Sequence, residues 1–340
     1  MMENIEYTYQ VCIKCATYNH VDYIEDAMRG FVMQKTSFPY VAVVVDDAST
    51  DGEPEVIKRF LEREFDMASA VQDETEDYLR VVAKHKTNEN CTFVAIFLKY
   101  NHYHKKSKKP YFQEWWDNSK YIALCEGDDY WTDPFKLQKQ VNVLETDISL
   151  MAVCTNASIV DINGNVLQSR QDNVVKNSAE GRYDLRDFFH NTHHYPTATV
   201  VYRNTHSLEI NKMIAMTANP FFGDWTLWIS LHIFGDFYFL DQVTTAYRIN
   251  PTSVTHSQVD TRRLGLAKAN FEIIRNVRDI LPPEYADLKS ELSNTDWLWF
   301  TLANAYRHSH LYFHMLYASF RCFLRNPVFL FHKLHQRNAK

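Results

Sequence analysis

The chain has 340 residues, 46% of them hydrophobic and 14% aromatic, which is enough for one enlarged α/β domain with an appended region. Its net charge of −6 argues against a nucleic-acid binder held by phosphate contacts. The sequence has no uninterrupted apolar run of about 18 residues and no apolar segment of the kind that secretory signals carry at the N-terminus. We therefore expect a cytoplasmic protein with reduced thiols.

Strand and helix patterns alternate through the first part of the chain. Continuous apolar runs rich in β-branched side chains are typical of strands covered on both faces, and helical spacing follows several of them. The predicted strands are residues 9–16, 40–45, 93–98, 121–125 and 150–155, and the predicted helices are residues 22–34, 54–65 and 134–145. Residues 66–91 are polar and charged, and we interpret them as a helical insertion with a loose loop. The alternation predicts an α/β fold with a doubly wound, mostly parallel sheet.

The later part of the chain predicts shorter β elements and then helices. Residues 161–165 (DINGN) have the composition of a hairpin turn. Strand patterns occupy 197–202 and 237–248, and residues 223–234 have helical spacing. From about Arg262 the pattern is helical to the end.

Polar clusters follow three of the predicted strands. They are residues 17–20 (TYNH), residues 46–52 (DDASTDG) and residues 126–131 (EGDDYW). Doubly wound sheets bind ligands at the carboxyl ends of their strands, so these positions favour a binding site. One acidic pair after a strand is more often a solvated turn or a helix cap, but two pairs at one edge would repel each other without a cation. Mg²⁺ or Mn²⁺ prefers a few carboxylates completed by ligand phosphates.

Backbone phosphate cradles are absent from the sequence. There is no GxxxxGK[ST] motif and no GxGxxG motif, and the chain has only eight glycines. A metal held by carboxylates is the remaining physical route to a diphosphate.

The order of these motifs resembles that of family 2 glycosyltransferases, which have the GT-A fold. The matching segments are CATYNH at 15–20, VVVDDASTDG at 43–52, YIALCEGDDYWTDPFKLQKQ at 121–140, FFGDWTLW at 221–228 and AYRINPTSVTHS at 246–257. The resemblance implies a Rossmann-like, mostly parallel central sheet flanked by helices. It places a catalytic domain at 1–258, with a nucleotide-binding half at 1–130 and an acceptor half at 131–258, before a helical C-terminal region at 259–340.

The resemblance also assigns residues to the donor nucleotide. Asp47 would bond the nucleotide base, and Thr17, Tyr18 and Asn19 would line the same pocket. Arg248 lies in the segment where the family often has a YRxH motif, and it is implied as a donor or phosphate contact.

A divalent metal, Mn²⁺ or Mg²⁺, is implied by the segment Glu126-Gly127-Asp128, which stands in the place of the family's DxD element. Asp128 would ligate the metal that bridges the two phosphates. Glu126 is a departure from the family pattern, and it would contact the ribose or the water on the metal. His256 could substitute for the family's histidine, because Asn250 occupies that position here; a surface loop is the alternative.

Asp224 falls where the family has its catalytic base. The implied reaction is an inverting displacement, in which Asp224 takes the proton from an acceptor hydroxyl. Its alternative role is structural, because Asp224 precedes a helical pattern and would cap that helix well.

The implied function is transfer of a sugar from a nucleotide-diphosphate donor, with UDP-sugars favoured, to a glycan or lipid-linked acceptor in polysaccharide or glycolipid synthesis. Two alternatives stay open. A metal-dependent nucleotidyltransferase has a similar sheet and metal site, but Lys14 lies inside a strand and no basic glycine-rich loop is present. An inactive sugar-nucleotide or glycan-binding module would have the same fold without turnover.

The C-terminal residues 307–340 combine basic and aromatic side chains. No acidic residue follows Asp296, while apolar residues recur at helical intervals between Phe313 and Leu324. Such a helix can lie in a membrane interface, here at the cytoplasmic face, and it can equally pack on the catalytic domain. We expect no contact with nucleic acid.

Overall fold

A computed structural model of the protein describes residues 6–103, 105–170, 179–191, 195–217, 223–249, 260–293, 303 and 312–325. The strands within these ranges are β1 (Tyr9–Thr17), β2 (Tyr40–Asp46), β3 (Val71–Glu74), β4 (Tyr78–Lys84), β5 (Cys91–Leu98), β6 (Ser119–Glu126), β7 (Tyr130–Trp131), β8 (Leu150–Val160), β9 (Val166–Gln168), β10 (Gly181–Tyr183), β11 (Val201–Arg203) and β12 (Asp236–Arg248). The helices are α1 (Ile24–Val32), α2 (Glu53–Glu64), α3 (Lys109–Asp117), α4 (Lys136–Thr146), α5 (Leu185–Asn191), α6 (Ser207–Thr217), α7 (Gly223–His232), α8 (Asp260–Ile280), α9 (Ala286–Ser293) and α10 (Tyr312–Arg325). The predicted α/β class is confirmed.

The centre of the sheet is parallel, in the order β6-β1-β2-β5. All residues of β2 and β5 are buried, as expected for strands covered on both faces by helices. The sheet as a whole is mixed, because antiparallel pairs occur on both sides of this centre. Strands β4 and β3 lie beyond β5, and strands β11, β8, β12 and β10 lie beyond β6, where β8 and β12 are parallel to each other. Because these central strands are parallel, their carboxyl ends lie at one edge of the sheet, which is where we expect a ligand site.

The segment 66–91 differs from the sequence prediction. It forms an antiparallel pair of strands, β3 and β4, and β4 continues the sheet from β5. The prediction of a helical insertion is wrong because the polar side chains of this segment belong to strands at one side of the sheet, with β3 at its edge and β4 between β3 and β5. One side of an edge strand faces solvent, and charged residues there limit pairing with other chains.

The contacts divide the chain into two compact units. One contains residues 1–207 and 234–250, and the other contains residues 208–233 and 251–340. The first unit holds the sheet, and the second holds helices α7 to α10 and nearly all of α6. Residues 208–233 thus group with the C-terminal helices, whereas the domain division at 258 stays a prediction.

All six cysteines are free thiols with buried side chains. Burial raises the pKa of Cys15 and Cys125 well above the usual value of a thiol. These thiols are therefore packing residues of the core rather than nucleophiles or metal ligands at neutral pH.

A lysine lies fully buried in α4. The Nζ of Lys136 donates to Oε1 of Gln140 at 2.5 Å and to the carbonyl of Thr199 at 3.3 Å, and it lies 4.6 Å from the centre of the Trp131 ring. Burial lowers the pKa of Lys136 to about 7. The ammonium form is therefore costly in the folded state, although these contacts keep its hydrogen bonds satisfied.

We expect Lys136→Met to remove a pH dependence of stability. Between pH 7 and about 10.4 the unfolded chain keeps the Lys136 proton while the folded chain releases it, so the free energy of unfolding of the wild type rises with pH. The difference between wild type and variant should change by up to ~1.4 kcal/mol per pH unit in that window, and by little below pH 7. Denaturant unfolding from pH 6 to 10 measures this slope.

Lys139→Met, a change at a partly exposed lysine of the same helix, should keep the wild-type slope. Parallel curves for wild type and Lys136→Met would contradict the assignment.

Candidate functional site

Three strand ends meet at one edge of the sheet, which we name the carboxyl edge, where β1, β2 and β6 end. The registers pair Thr17 of β1 with Asp46 of β2, and Ala16 of β1 with Glu126 of β6. The polar clusters that follow these strands therefore lie side by side, as the sequence predicts.

A buried carboxylate joins the loops after β1 and β2. Glu53, the first residue of α2, is fully buried, and it accepts hydrogen bonds from the hydroxyl of Thr17, from the backbone N–H of His20 at 2.8 Å and from the hydroxyl of Ser49 at 2.8 Å. Sequence reasoning missed this residue, because a glutamate in the first turn of a helix is ordinarily an exposed partner of the helix dipole. Its role is to fix the two loops to one another.

Asn19 makes a second link between the same loops. Its backbone has a positive φ of 56°, its N–H donates to the hydroxyl of Ser49 at 2.9 Å, and its side-chain oxygen accepts the N–H of Thr50 at 2.9 Å. Tyr18, next to it, is 44% exposed, whereas Thr17 is buried. Of the three residues predicted to line the nucleotide pocket, Tyr18 presents its side chain to solvent, while Thr17 and Asn19 hold the loops in place.

Asp47 lies under a basic loop, which we define as residues 99–103 and 105–108. The carboxylate of Asp47 is buried; it accepts the N–H of His102 at 2.8 Å and pairs with Nζ of Lys108 at 2.6 Å. The side chain of Asn101 donates to the Asp47 carbonyl at 3.1 Å. Sequence reasoning missed this pairing, which depends on a contact across 61 residues. A ligand that bonds Asp47 therefore also meets the ammonium of Lys108.

A cavity of 320 Å³ opens beside this pair. Its lining includes Lys14 and Ala16 of β1, Val45 of β2, and His102 and Lys108 of the basic loop. The concentration of lysines makes the cavity suitable for an anionic group.

The acidic turn, residues 126–129, follows β6. The N–H of Gly127 donates to the carbonyl of Ala16 at 3.3 Å, which fastens the turn to β1. Asp129 is 4% exposed, and its Oδ1 accepts the backbone N–H of Arg248 at 2.8 Å, which fastens the turn to β12. The turn is thus held from both sides.

Negative charge is concentrated in this turn. Burial, and then the neighbouring carboxylates of Asp128 and Glu126, raise the pKa of Asp129 well above its usual value. Glu126 and Asp128 themselves are only half-buried. In the second acidic cluster, burial together with Glu53 and Asp47 raises the pKa of Asp46 to about 6.

The carboxylates of the acidic turn provide only some of the ligands that a hard cation needs. Within the ranges that the structure describes, no group of three or more His, Cys, Asp or Glu side chains is placed to hold a metal ion. Glu126 and Asp128 offer carboxylate oxygens, which Mg²⁺ and Mn²⁺ prefer, but two residues do not complete a coordination shell. They fit a cation that takes its other ligands from a diphosphate and from water. His256, the further candidate, lies outside the described residues.

Gly127 packs tightly against β1, and this contact gives a testable prediction. A Cβ at this position would lie 2.2 Å from Oγ1 and 2.7 Å from Cβ of Thr17. We expect Gly127→Ala to displace the acidic turn, to lower the free energy of unfolding by about 1–3 kcal/mol and to weaken ligand binding at the carboxyl edge. Gly223→Ala is the control, because its added Cβ meets nothing within 4 Å. Thermal unfolding of both variants measures the effect, and a Gly127→Ala protein as stable as the wild type would contradict it.

Arg248 is buried, and its guanidinium bonds several parts of the protein. Nε donates to the carbonyl of Asp128 at 2.9 Å, Nη1 to the carbonyl of Ile162 at 3.0 Å, and Nη2 to the carboxylate of Asp26 at 3.0 Å. The group also stacks 4.6 Å from the centre of the Tyr23 ring. These contacts make Arg248 a residue that positions the acidic turn; the predicted contact with the donor stays a prediction.

Asp224 is the second residue of α7, in the second compact unit. It is half-buried, and its Oδ1 accepts the N–H of Trp225 at 2.8 Å. Because the helix begins at Gly223, Asp224 lies inside the first turn, where a negative charge interacts favourably with the helix dipole. Its role as a base stays a prediction.

Comparison with known proteins finds relatives in two mycobacteria. The chain is 28% identical over 248 residues to the uncharacterized protein Rv1520 of Mycobacterium tuberculosis and, equally, to Mb1547 of Mycobacterium bovis. The match covers 73% of this chain, and it spans 61% of the length of these relatives. No family model matches the chain.

Two solved structures are similar to this chain. S. aureus TarS 1-349 in complex with UDP has a TM-score of 0.53 and 13% identity, over 85% of this chain and 72% of that chain. The mannosyltransferase PcManGT from Pyrobaculum calidifontis, in complex with GDP-Man and Mn²⁺, has a TM-score of 0.50 and 14% identity, over 98% of this chain and 80% of that chain. At these identities the likeness concerns the fold. It confirms the predicted architecture, a large central sheet flanked by helices.

Proposed function

We propose that this protein is an inverting glycosyltransferase that moves a sugar from a nucleotide-diphosphate donor to an acceptor hydroxyl. The observation that carries the proposal is the position of the acidic turn. It lies at the carboxyl edge, fastened to β1 by Gly127 and to β12 by Arg248, and it carries the half-buried residues Glu126 and Asp128. The shared fold with a mannosyltransferase supports the same function.

A divalent cation, Mn²⁺ or Mg²⁺, would be held by Asp128, with Glu126 near the cation or the ribose. The presence of Mn²⁺ with GDP-Man in PcManGT supports this part of the proposal. Bound there with the diphosphate, the cation would offset negative charge on the leaving nucleoside diphosphate. The contribution of the chain is to hold the two carboxylates on a turn that is fixed by Arg248 and by the packing of Gly127 against Thr17.

The nucleotide base would bind beside the basic loop. Asp47 and Lys108 bond each other there, and a base edge with both an N–H and a carbonyl would bind them by replacing that contact. Tyr18 is 44% exposed and follows Thr17, whose carbonyl accepts the N–H of Asp47 at 3.0 Å. We favour a UDP-sugar donor, and the UDP complex of TarS supports that choice.

Asp224 would act as the base that takes the proton of the acceptor hydroxyl. It is a half-buried carboxylate, which is compatible with access to an acceptor. We propose a glycan or lipid-linked acceptor, in polysaccharide or glycolipid synthesis. The buried free thiols support a reducing, cytoplasmic setting.

The products of donor turnover test the proposed function. With an α-linked UDP-hexose, Mn²⁺ and water as the acceptor, we expect slow release of UDP together with the β-anomer of the free sugar, followed by proton NMR before mutarotation. Initial release of the α-anomer would contradict the inverting mechanism. Release of pyrophosphate from a nucleoside triphosphate and a sugar phosphate would identify a nucleotidyltransferase instead. Donor binding without any product, with every acceptor tried, would identify a binding module.

A further inference from the structure

Helix α10 has a strongly exposed apolar face. Four large side chains of this helix are between 54% and 62% exposed, namely Leu316, Tyr317, Phe320 and Leu324. Isolated exposed apolar residues are normal on protein surfaces, but several on one short helix mark an interaction surface. We name these four residues the α10 face.

The α10 face is opposite to the side by which the helix packs on the protein. At about 100° per residue, its four members fall within an arc of about 100°. Ala318 and Cys322 are fully buried, and on the same wheel they lie about 150° and about 170° from the centre of that arc. The helix therefore has Ala318 and Cys322 on its buried side and four large apolar side chains on the side that faces solvent.

The charge of the C-terminal segment indicates what covers this face. After Asp296 the sequence contains no acidic residue, and the basic residues that follow are Arg307, Arg321, Arg325, Lys333, Arg337 and Lys340. If the α10 faces of two copies met, the two basic C-terminal segments would repel each other, whereas an anionic surface would attract such a segment. An acidic lipid surface offers both the apolar layer and the negative charge.

We propose that α10 docks the protein on an anionic lipid surface, with the α10 face inserted at the boundary between headgroups and acyl chains. The helix has 14 residues and is about 21 Å long, shorter than the ~30 Å hydrocarbon core. In the described part of the chain, no helix is both long and apolar enough to cross a membrane. Docked through the α10 face, the helix lies along the surface, and this property goes beyond the proposed sugar transfer and does not depend on it.

Co-sedimentation of the full chain with vesicles tests the docking. We expect binding to phosphatidylcholine vesicles that contain phosphatidylglycerol, weaker binding as ionic strength rises, and little binding to phosphatidylcholine alone. Leu316→Gln/Phe320→Gln removes two members of the face and should raise the lipid concentration for half-binding at least about tenfold. Both side chains are already exposed, so the melting temperature should stay that of the wild type.

The matched control changes two apolar residues of similar exposure elsewhere. Ile148 is 79% exposed and Val166 is 62% exposed, both in the first compact unit, and Ile148→Gln/Val166→Gln should bind vesicles as the wild type does. The proposal is overturned if the wild type does not bind anionic vesicles, or if the α10 variant binds as well as the wild type. It is also overturned if the wild type self-associates in lipid-free sedimentation velocity and the α10 variant does not, because a second copy then covers the face.

Discussion

Replacing Asp224 with asparagine is expected to leave donor binding unchanged and to lower the rate of sugar transfer about 10²–10⁴-fold. The carboxamide cannot take the proton of the acceptor hydroxyl, but it has the same shape. Asparagine is also tolerated in the first turn of a helix, so the loss of charge at the dipole should cost only about 0.3–1 kcal/mol of stability. Donor titration by calorimetry, UDP release and thermal unfolding measure the three quantities on the same sample.

Asp279→Asn is the matched control for this variant. Asp279 is an exposed aspartate at the end of α8 in the same compact unit, where it pairs with Arg278. Its substitution removes the same charge and should leave transfer unchanged. If Asp224→Asn transfers sugar at the wild-type rate, Asp224 is only a residue of the helix first turn, and the base must be sought elsewhere.

The second large effect is expected at the acidic turn. Asp128→Asn removes a carboxylate from the surface of the turn, and we expect it to abolish the metal dependence of donor binding. The donor affinity in Mn²⁺ should fall at least about 10–100-fold, because even partners of metal ligands have effects of that size. In the presence of a chelator, wild type and variant should bind the donor equally weakly. Calorimetric titration with Mn²⁺ and with chelator measures the difference.

A control for this variant removes the same charge at a position outside the acidic turn. Asp117 is exposed at the end of α3, where it accepts a hydrogen bond from Gln113, and Asp117→Asn should bind the donor as the wild type does. The carbonyl of Asp128, which Arg248 bonds, is unchanged in the variant, so the fold of the turn should persist. Undiminished metal-dependent binding by Asp128→Asn would contradict the proposed ligand.

The parallel centre of the sheet could be predicted because its strands are buried on both faces. Continuous apolar runs such as YVAVVV in β2 have few alternatives to a central strand, and the helices between them follow from spacing. The strands β3 and β4 could not be recognised by the same pattern, because they are only partly buried and mix polar with apolar residues. In β4 the sequence YLRVVAK places charged residues among apolar ones. Because the whole segment 66–91 is polar, this short strand pattern did not stand out from its surroundings.

The location of the candidate site was also predictable, whereas its internal contacts were not. Clusters after β1, β2 and β6 must lie together once the sheet is parallel, and the registers agree with this. The buried position of Glu53 and the pairing of Asp47 with Lys108 depend on how loops fold over one another. No local spacing encodes such contacts, since the partners are 36 and 61 residues apart.

The contacts of Arg248 could not be predicted from the sequence either. Its place at the end of an apolar strand and its chemistry make it a natural phosphate ligand, which is what the resemblance implies. In the structure the side chain is 2% exposed. It donates hydrogen bonds to the acidic turn, to Asp26 of α1 and to the turn after β8. A buried arginine must satisfy its donors within the protein, and sequence alone does not show that this one is buried.

Donor binding by the wild type tests the central claim most directly. The full chain would be titrated calorimetrically with UDP-hexoses and with GDP-mannose, once with Mn²⁺ and once with chelator. The account predicts that at least one nucleotide sugar binds, that Mn²⁺ strengthens this binding, and that the nucleoside diphosphate alone competes for the site. Absence of binding by any nucleotide sugar in Mn²⁺, or an affinity that is the same in chelator, would contradict a metal-dependent sugar-nucleotide site at the carboxyl edge.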